Sequence, residues 1–337
     1  MYTGSSLEEK CHRILEEKGG KTADRARTIL LEEKCSVKLQ NPLRYLCENW
    51  RDPLAPSMVI LSCEAVGGKP DDATYEVALA MPLMNLGFTL WDEIADKSMY
   101  KFFIPTVLGK FGESITLILG GLASAKAFSI LNVMKVDQTK RQTVTEVVWN
   151  YWKTLAEAET TNLELRKRGD VMPEEKFKVR EMHAVGLETS MKIGAILGDG
   201  SEDEIKHLGN YGKCLGTILE IRNDFDVSLN LTLELAEKIR SGALPYTLLW
   251  AKNHSEKLRE YLSHLTDTIT PDDIKNIVEA VLETKVLEDT IRLLKTLTQM
   301  AEVELLKIER NMATSKLVFF LRAQAKIFNE RLSTLSF

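Results

Sequence analysis

The sequence predicts an all-α protein, and three observations carry that prediction. Apolar residues recur at helical spacing in runs longer than a strand. The breaks between runs carry glycine, proline or a capping side chain. Nowhere do apolar and polar residues alternate with the period of two that a half-buried strand needs, and no hairpin turn joins two such stretches.

Taken in order, residues 6–33 read as two short, charged amphipathic helices separated by Gly19-Gly20. Residues 42–50 read as another, with Pro42 in its first turn, where a missing N–H costs nothing, and a stop before Asp52-Pro53. Helical stretches follow at 54–66, 71–96, 107–131, 138–168, 173–198, 201–228, 232–240, 244–263, 271–283, 284–311 and 314–333. Gly67-Gly68, Pro105, Gly169-Asp170, Asp199-Gly200, Gly242 and Thr270-Pro271 punctuate them. Ser201 followed by Glu204 has the form of a capping box. There is no internal repeat and no low-complexity segment.

With 337 residues, 44% of them apolar, the chain can bury a large core, and nothing demands a second domain. The expectation is one domain over 1–337, with 1–36 a helical extension packed on it. The net charge of −5 is spread among interspersed acids and bases, which excludes a nucleic-acid or anionic-membrane surface. Five cysteines without a CxxC spacing read as reduced thiols of a cytoplasmic protein, and the charged N-terminus has no signal-peptide form. The longest apolar run, 115–131, is broken by Gly120, Gly121, Ser124 and Lys126. It is short for a transmembrane helix, so a buried helix and no integral membrane segment are expected.

The chemistry begins at Trp91-Asp92-Glu93-Ile94-Ala95-Asp96, where an apolar helix turns acidic. Asp92 and Asp96, at i and i+4, share a helix face about 6 Å apart, with Glu93 beside them. Carboxylates that close repel unless a cation lies between them, and paired acidic oxygens suit Mg2+ with a substrate phosphate. Alone, the stretch is also what a solvated acidic helix end looks like. A second apolar run, residues 211–228, turns acidic in the same way, with Glu220, Asn223 and Asp224 on one face. Two such helices facing each other could hold metal ions and a diphosphate between them.

In order and spacing these pieces resemble the trans-isoprenyl diphosphate synthases and the class I terpene synthases that share their fold. Ser62-Cys63-Glu64-Ala65-Val66-Gly67-Gly68 is similar to the end of their second helix, and Asp92-Glu93-Ile94-Ala95-Asp96 to their first motif, DDxxD. Gly120-Gly121-Leu122-Ala123-Ser124-Ala125 resembles the small-residue helix that follows. Tyr211-Gly212, Leu215-Gly216, Glu220 and Asn223-Asp224 resemble YGxxLGxxFQxxDDxxD, and Leu244-Pro245 the proline beyond it. The resemblance implies the isoprenoid (terpenoid) synthase fold, a helical bundle around a central cavity, acting as a homodimer paired near Gly109 to Ala127. It implies three Mg2+ ions with diphosphate bound, ligated by Asp92, Glu93, Asp96, Asn223 and Asp224. It implies an allylic prenyl diphosphate held by Lys101, Arg180, Glu220, Arg222 and Lys238 over Phe88. Asp92, Asp96, Asp224 and Arg180 are the expected catalytic set, with Arg180 in the place of the diphosphate-sensing arginine of terpene synthases.

The departures are as informative. The basic GKxxRP that grips isopentenyl diphosphate in chain-elongating members falls on Arg51-Asp52-Pro53-Leu54-Ala55-Pro56, so its two cations become Asp52 and Ala55. Their paired arginines fall on Lys101 and Phe102, and their Lys-Thr pair on Met182-His183. Ser228 replaces the last acid of the second motif, and Asp226 lies about 200° round the helix from Asp224. A diphosphate is poorly held where Asp, Ala and Phe stand, unless Arg51, Lys101 or Lys110 rebuilds a grip. Met84 is the expected floor of the cavity, with Trp91, Phe102, Phe103, Trp149 and Trp152 as further aromatics for its wall, and His183 is given no catalytic part. The reaction expected is ionisation of one allylic diphosphate and its conversion to a terpene hydrocarbon or alcohol. The alternatives are a prenyltransferase, using isopentenyl diphosphate or another acceptor, and a non-catalytic partner subunit. The retained acids argue against the last.

Overall fold

The computed structural model describes residues 6–101, 104–229, 233–265 and 269–334, and helices dominate among them. Helices Leu54–Ala65 and Val185–Leu197 pack against each other at the centre of the molecule. The first, LAPSMVILSCEA, is apolar or small on every face, the pattern of a helix buried all round. Gly194 lets the two backbones touch, since a Cβ there would lie 2.1 Å from the Val59 carbonyl oxygen. The buried Ser62 hydroxyl donates to the Met191 carbonyl at 2.5 Å.

These two helices feed two cores. Val59, Ile60 and Ile193 join Met81, Leu83, Leu86, Leu90, Val148 and Tyr151, from Asp72–Asp96 and Gln138–Leu165. Met58, Leu61 and Met191 join Tyr211, Leu215, Ile218, Phe225, Leu317 and Phe328, from Glu202–Leu229 and Met312–Thr334. The capping boxes at Asp71/Thr74 and Ser201/Glu204 set where the two long motif helices begin.

Several boundaries depart from the sequence reading, each for a local reason. Gly19-Gly20 does not break the first helix. It lies in a π-helical turn, Glu16–Gly20, that carries Ser6–Leu15 on into Lys21–Leu31. A Cβ at Gly19 would lie 2.3 Å from the Pro53 carbonyl oxygen, so the glycine serves contact with Leu54–Ala65 instead. Val37–Asn49 begins ahead of Pro42. Gly112, with φ of 81°, divides Val107–Phe111 from Glu113–Asn132. Ala184 interrupts the chain between Pro173–His183 and Val185–Leu197, and Ser255 caps Glu256–His264 as a separate helix. Tyr100–Lys101 pairs antiparallel with Ile104–Pro105 in a ladder too short to show as alternation.

Glu113–Asn132 is not the buried helix expected. It packs one face on Asp72–Asp96, where a Cβ at Gly87 would meet the Ser124 hydroxyl at 2.1 Å. Leu117, Ile118 and Phe128 are exposed on it. Among the described residues it is the one helix long and apolar enough to cross a membrane.

Candidate active site

A cavity of about 390 Å3 takes its walls from several helices. Asp72–Asp96 contributes Asn85, Phe88, Thr89, Asp92, Glu93 and Asp96, whose spacing of three and four puts them on one face. Glu202–Leu229 contributes Leu219, Glu220, Asn223, Asp224 and Val227 with the same periodicity. Arg180 and His183 come from Pro173–His183, Tyr151 and Leu155 from Gln138–Leu165, Lys238 from Leu233–Arg240, and Lys101 from the short ladder. Asp92 and Asp224 therefore line one cavity.

Both acidic groups occupy the last turns of their helices, where the backbone dipole is itself negative, so each needs positive charge nearby. The buried Asp96 binds the side chains of Arg166 and Lys238, and Arg166 also donates to the Ala95 carbonyl at 2.7 Å. Asp224 accepts two bonds from Arg180, both 2.7 Å, and the Tyr246 N–H at 2.8 Å. Burial alone would raise the Asp224 carboxyl, but the Arg180 guanidinium outweighs it and holds the group below the usual carboxylate range. Asp92 goes the other way: burial, then the nearby Glu159, raise it despite Lys238 and His183. Burial lifts Glu93 to about 7, although Lys101 opposes this.

Glu159 is the residue that sequence reasoning missed. It belongs to Gln138–Leu165, one turn beyond Leu155, and on a helix rich in acids its sequence context marks nothing special. Oxygens of Asp92, Asp96 and Glu159 lie within 4.8 Å of one another. Three carboxylates crowded in a protein interior are a donor set for a hard divalent cation such as Mg2+, and the raised Asp92 carboxyl reflects the same crowding. The residues present thus fit the ion that the resemblance implies. Asp224 gives both oxygens to Arg180, as Asp96 does to Arg166 and Lys238, and Glu93, Glu220 and Asn223 face the same cavity.

Other expected residues divide cleanly. Phe88, Lys101, Arg180, Glu220 and Lys238 all line the cavity. Arg222 does not: one position before Asn223 is a 100° rotation, and its guanidinium binds Gln324 on the last helix instead. Glu202–Leu229 continues unbroken past Asp226, which stays off the cavity face, and the buried Ser228 hydroxyl donates back to the Asp224 carbonyl at 2.7 Å. Met84 is fully buried in the core and is not the floor; Leu54, Asn85 and Tyr151 line the cavity there. Trp91 and Trp152 pack on each other with ring centroids 5.4 Å apart, and Trp149 is exposed. Phe102 and Phe103 lie outside the described residues.

Met182 turns to a different cleft, beside Glu188 and Lys192, while His183 and Ala184 face the cavity. His183 Nε2 lies 2.8 Å from Glu159, and burial lowers its pKa, which favours the neutral ring. Behind Arg180, the buried Lys176 donates to Asn162 at 2.7 Å, and burial brings its ammonium down to about 7. Lys176 carried no sequence signal, and His183, although it falls in the Lys-Thr position, could not be given a facing from its helix position alone.

The stretch that departs from GKxxRP has been put to other use. Asp52 accepts the N–H groups of Leu54 and Ala55 at 2.9 and 3.2 Å, beginning Leu54–Ala65, and Ala55 is buried. Arg51 is held by Glu16 at 2.5 and 2.8 Å and by Asp24 at 2.8 Å. Lys110 lies over the Tyr45 ring, 3.7 Å from its centroid. Of the cations that could have rebuilt a phosphate grip, Lys101 is the one that lines the cavity.

Comparison with known proteins agrees with this architecture. A short chain isoprenyl diphosphate synthase of Methanothermobacter thermautotrophicus is 30% identical over 234 residues, 68% of this chain and 70% of that protein. A geranylgeranyl diphosphate synthase of Methanosarcina mazei is 26% identical over 216 residues, 63% of this chain and 66% of its own. The crystal structure of geranylgeranyl pyrophosphate synthetase from Pyrococcus horikoshii Ot3 superposes with a TM-score of 0.81 at 22% identity, covering 95% of this chain and 98% of that one. A polyprenyl synthase from Caulobacter crescentus CB15, complexed with calcium and isoprenyl diphosphate, gives 0.81 at 17% identity over 96% and 99%. These structures share the all-α isoprenoid synthase fold with this chain. Residues 36–281 match the polyprenyl synthetase family, and with that match and the 30% relative the chain belongs to it.

Proposed function

We propose that this chain binds an allylic prenyl diphosphate in the cavity, ionises it with Mg2+ and transfers the prenyl group to an acceptor. The observation that carries this reading is the meeting of two acidic helix ends with Arg180, Lys238 and Lys101 around one cavity. Asp92, Asp96 and Glu159, with Asn223 and Glu220 opposite, would hold the ions, and three ions remain the expected number. Bound Mg2+ would neutralise the charge that develops on the departing diphosphate. Arg180 and Lys238 add donors from the protein, and Phe88, Leu155, Leu187 and Leu219 keep water from the allylic carbon. Prenyl transfer, as the reaction class, is supported by the relatives, which are named as prenyl diphosphate synthases. A second reading, a terpene synthase acting on one diphosphate alone, is favoured by a specific observation: Asp52 and Ala55 stand in place of the acceptor-binding cations. On either reading the protein is a cytoplasmic homodimer.

The test is incubation with Mg2+ and C10, C15, C20 and C25 allylic diphosphates, with and without isotope-labelled isopentenyl diphosphate. Diphosphate release that EDTA abolishes is expected. Label in a longer prenyl diphosphate identifies an elongating enzyme, and unlabelled terpene the second reading. No release from any of these substrates overturns the proposal.

A further inference from the structure

Below the acidic cluster the cavity carries a hydrogen-bonded group, two neutral side chains backed by a carboxylate, that the diphosphate site does not use. The Tyr151 hydroxyl donates to Asn85 Oδ1 at 3.0 Å, and the Asn85 amide donates to Asp52 Oδ2 at 3.2 Å. Asp52 Oδ1 is occupied by the Leu54 and Ala55 N–H groups. Tyr151, Asn85 and Leu54 line the cavity, and because Tyr151 is 1% exposed this chain of bonds opens onto it chiefly at the half-buried Asn85. Its remaining capacity can be counted. Asn85 keeps one N–H and one lone pair, and the Tyr151 oxygen keeps its lone pairs. A partner therefore meets one donor and two acceptors, with the Asp52 carboxylate behind them and no cation, since Arg51 is bound to Glu16 and Asp24.

That inventory rejects a phosphate and matches a hydroxyl. A phosphate brings acceptors and negative charge toward Asp52, and would lie desolvated with a single neutral donor. A hydroxyl can donate to Tyr151 or Asn85 and accept from the Asn85 amide. The placement suits an attacking group as well. Asn85 stands seven residues before Asp92, about 10 Å along the helix axis, with Phe88 between them. A diphosphate anchored at Asp92 would extend its allylic carbon toward this level.

Building on the ionisation proposed above, we infer that the Tyr151–Asn85 pair seats a neutral hydroxyl, of water or of an alcohol, as the prenyl acceptor. The bond between C1 and the diphosphate oxygen breaks with both electrons leaving on the diphosphate. A lone pair of the hydroxyl oxygen forms the new C–O bond, and its proton passes to the released diphosphate, which is the strongest base nearby. Water gives a prenyl alcohol and an alcohol gives a prenyl ether, with no change of oxidation state. Tyr151 and Asn85 are positioning residues in this step.

The experiment uses the full chain with Mg2+ and geranyl, farnesyl or geranylgeranyl diphosphate in 18O-water, with and without isopentenyl diphosphate and with and without 1-butanol, against a heat-inactivated control. Released diphosphate and organic products are measured together. The expected result is an 18O-labelled prenyl alcohol, diverted in part to the butyl ether by butanol. In Tyr151→Phe, and independently in Asn85→Ser, the ratio of C–O products to hydrocarbon should fall about three- to tenfold, the worth of one neutral hydrogen bond. This holds whatever happens to the overall rate, and a merely structural role would leave the ratio unmoved. Diphosphate release with only hydrocarbon or elongated diphosphate as product overturns the hydroxyl acceptor and leaves the ionisation standing. An unchanged ratio in both folded variants overturns the seat at Tyr151–Asn85. No release above the control overturns the ionisation and this inference with it.

Discussion

Asp92 and Asp224 are both acids in the C-terminal part of a long helix, yet their surroundings give them opposite electrostatics, and mutation should separate them. Asp92 is crowded by Glu159 and raised, so Asp92→Ala relieves repulsion. Turnover should drop by more than about a hundredfold while the thermal midpoint holds or rises. Asp224 is nearly inaccessible and doubly bonded to Arg180. Asp224→Ala should also abolish turnover, but it takes both short bonds from a buried guanidinium, leaving Glu220 at 3.8 Å as its remaining carboxylate, and should cost about 3 kcal/mol of stability. Urea unfolding of the two variants checks this, and equal midpoints would contradict it. Lys176 supplies a pH dependence. Its folded pKa, about 7, is below the unfolded value of 10.5, so between these the unfolded chain binds the extra proton and stability rises with pH. Lys176→Met loses that rise, so its advantage over the parent should be larger at pH 7 than at pH 10 in matched urea titrations. At the acceptor end, replacing Lys and Arg by Asp52 and Ala55 removes charge-assisted hydrogen bonds worth roughly 1.5–3 kcal/mol each. Binding of isopentenyl diphosphate by calorimetry should accordingly be at least about a hundredfold weaker than in a variant carrying both cations.

At the scale of elements, the site depends on how closely two central helices approach. Leu54–Ala65 and Val185–Leu197 touch through Gly194, and a methyl group there would meet the Val59 carbonyl oxygen at 2.1 Å and Ser62 Cβ at 2.7 Å. Both neighbours belong to a buried helix and have little room to shift. Gly194→Ala should therefore destabilise by about 1–3 kcal/mol, despite alanine's better helix propensity. Because Leu54 and Leu187 of these helices line the cavity, the same variant should also lose turnover. A thermal midpoint at or above that of the parent would show that the packing is looser than described. Gly19 plays the matching part for the N-terminal helix, which explains why a Gly-Gly pair stands inside a helix that it was expected to end.

For the whole molecule, Leu117, Ile118 and Phe128 on Glu113–Asn132 leave apolar surface exposed in the single chain. The proposed homodimer would cover this helix. Light scattering at micromolar concentration should give twice the chain mass, and Ile118→Lys should shift the protein toward monomer; a monomeric parent would refute the pairing. Helical character, most breaks and the two acidic faces were legible in the sequence, because each depends on residues within a turn or two of one another. Periodicity placed Asp92 with Asp96 and Glu220 with Asp224, and the departures at Asp52 and Ala55 were visible as missing charge. What only the tertiary structure decided is which charges meet. Asp224 and Arg180 are 44 residues apart and Asp96 and Lys238 are 142 apart. Glu159 joins the acidic cluster, and Arg222 leaves it, solely through the direction in which their helices turn. A helix pattern fixes which residues share a face, whereas the partner of that face is set by packing across the core, where the energy of an ion pair depends on distances that local sequence does not contain.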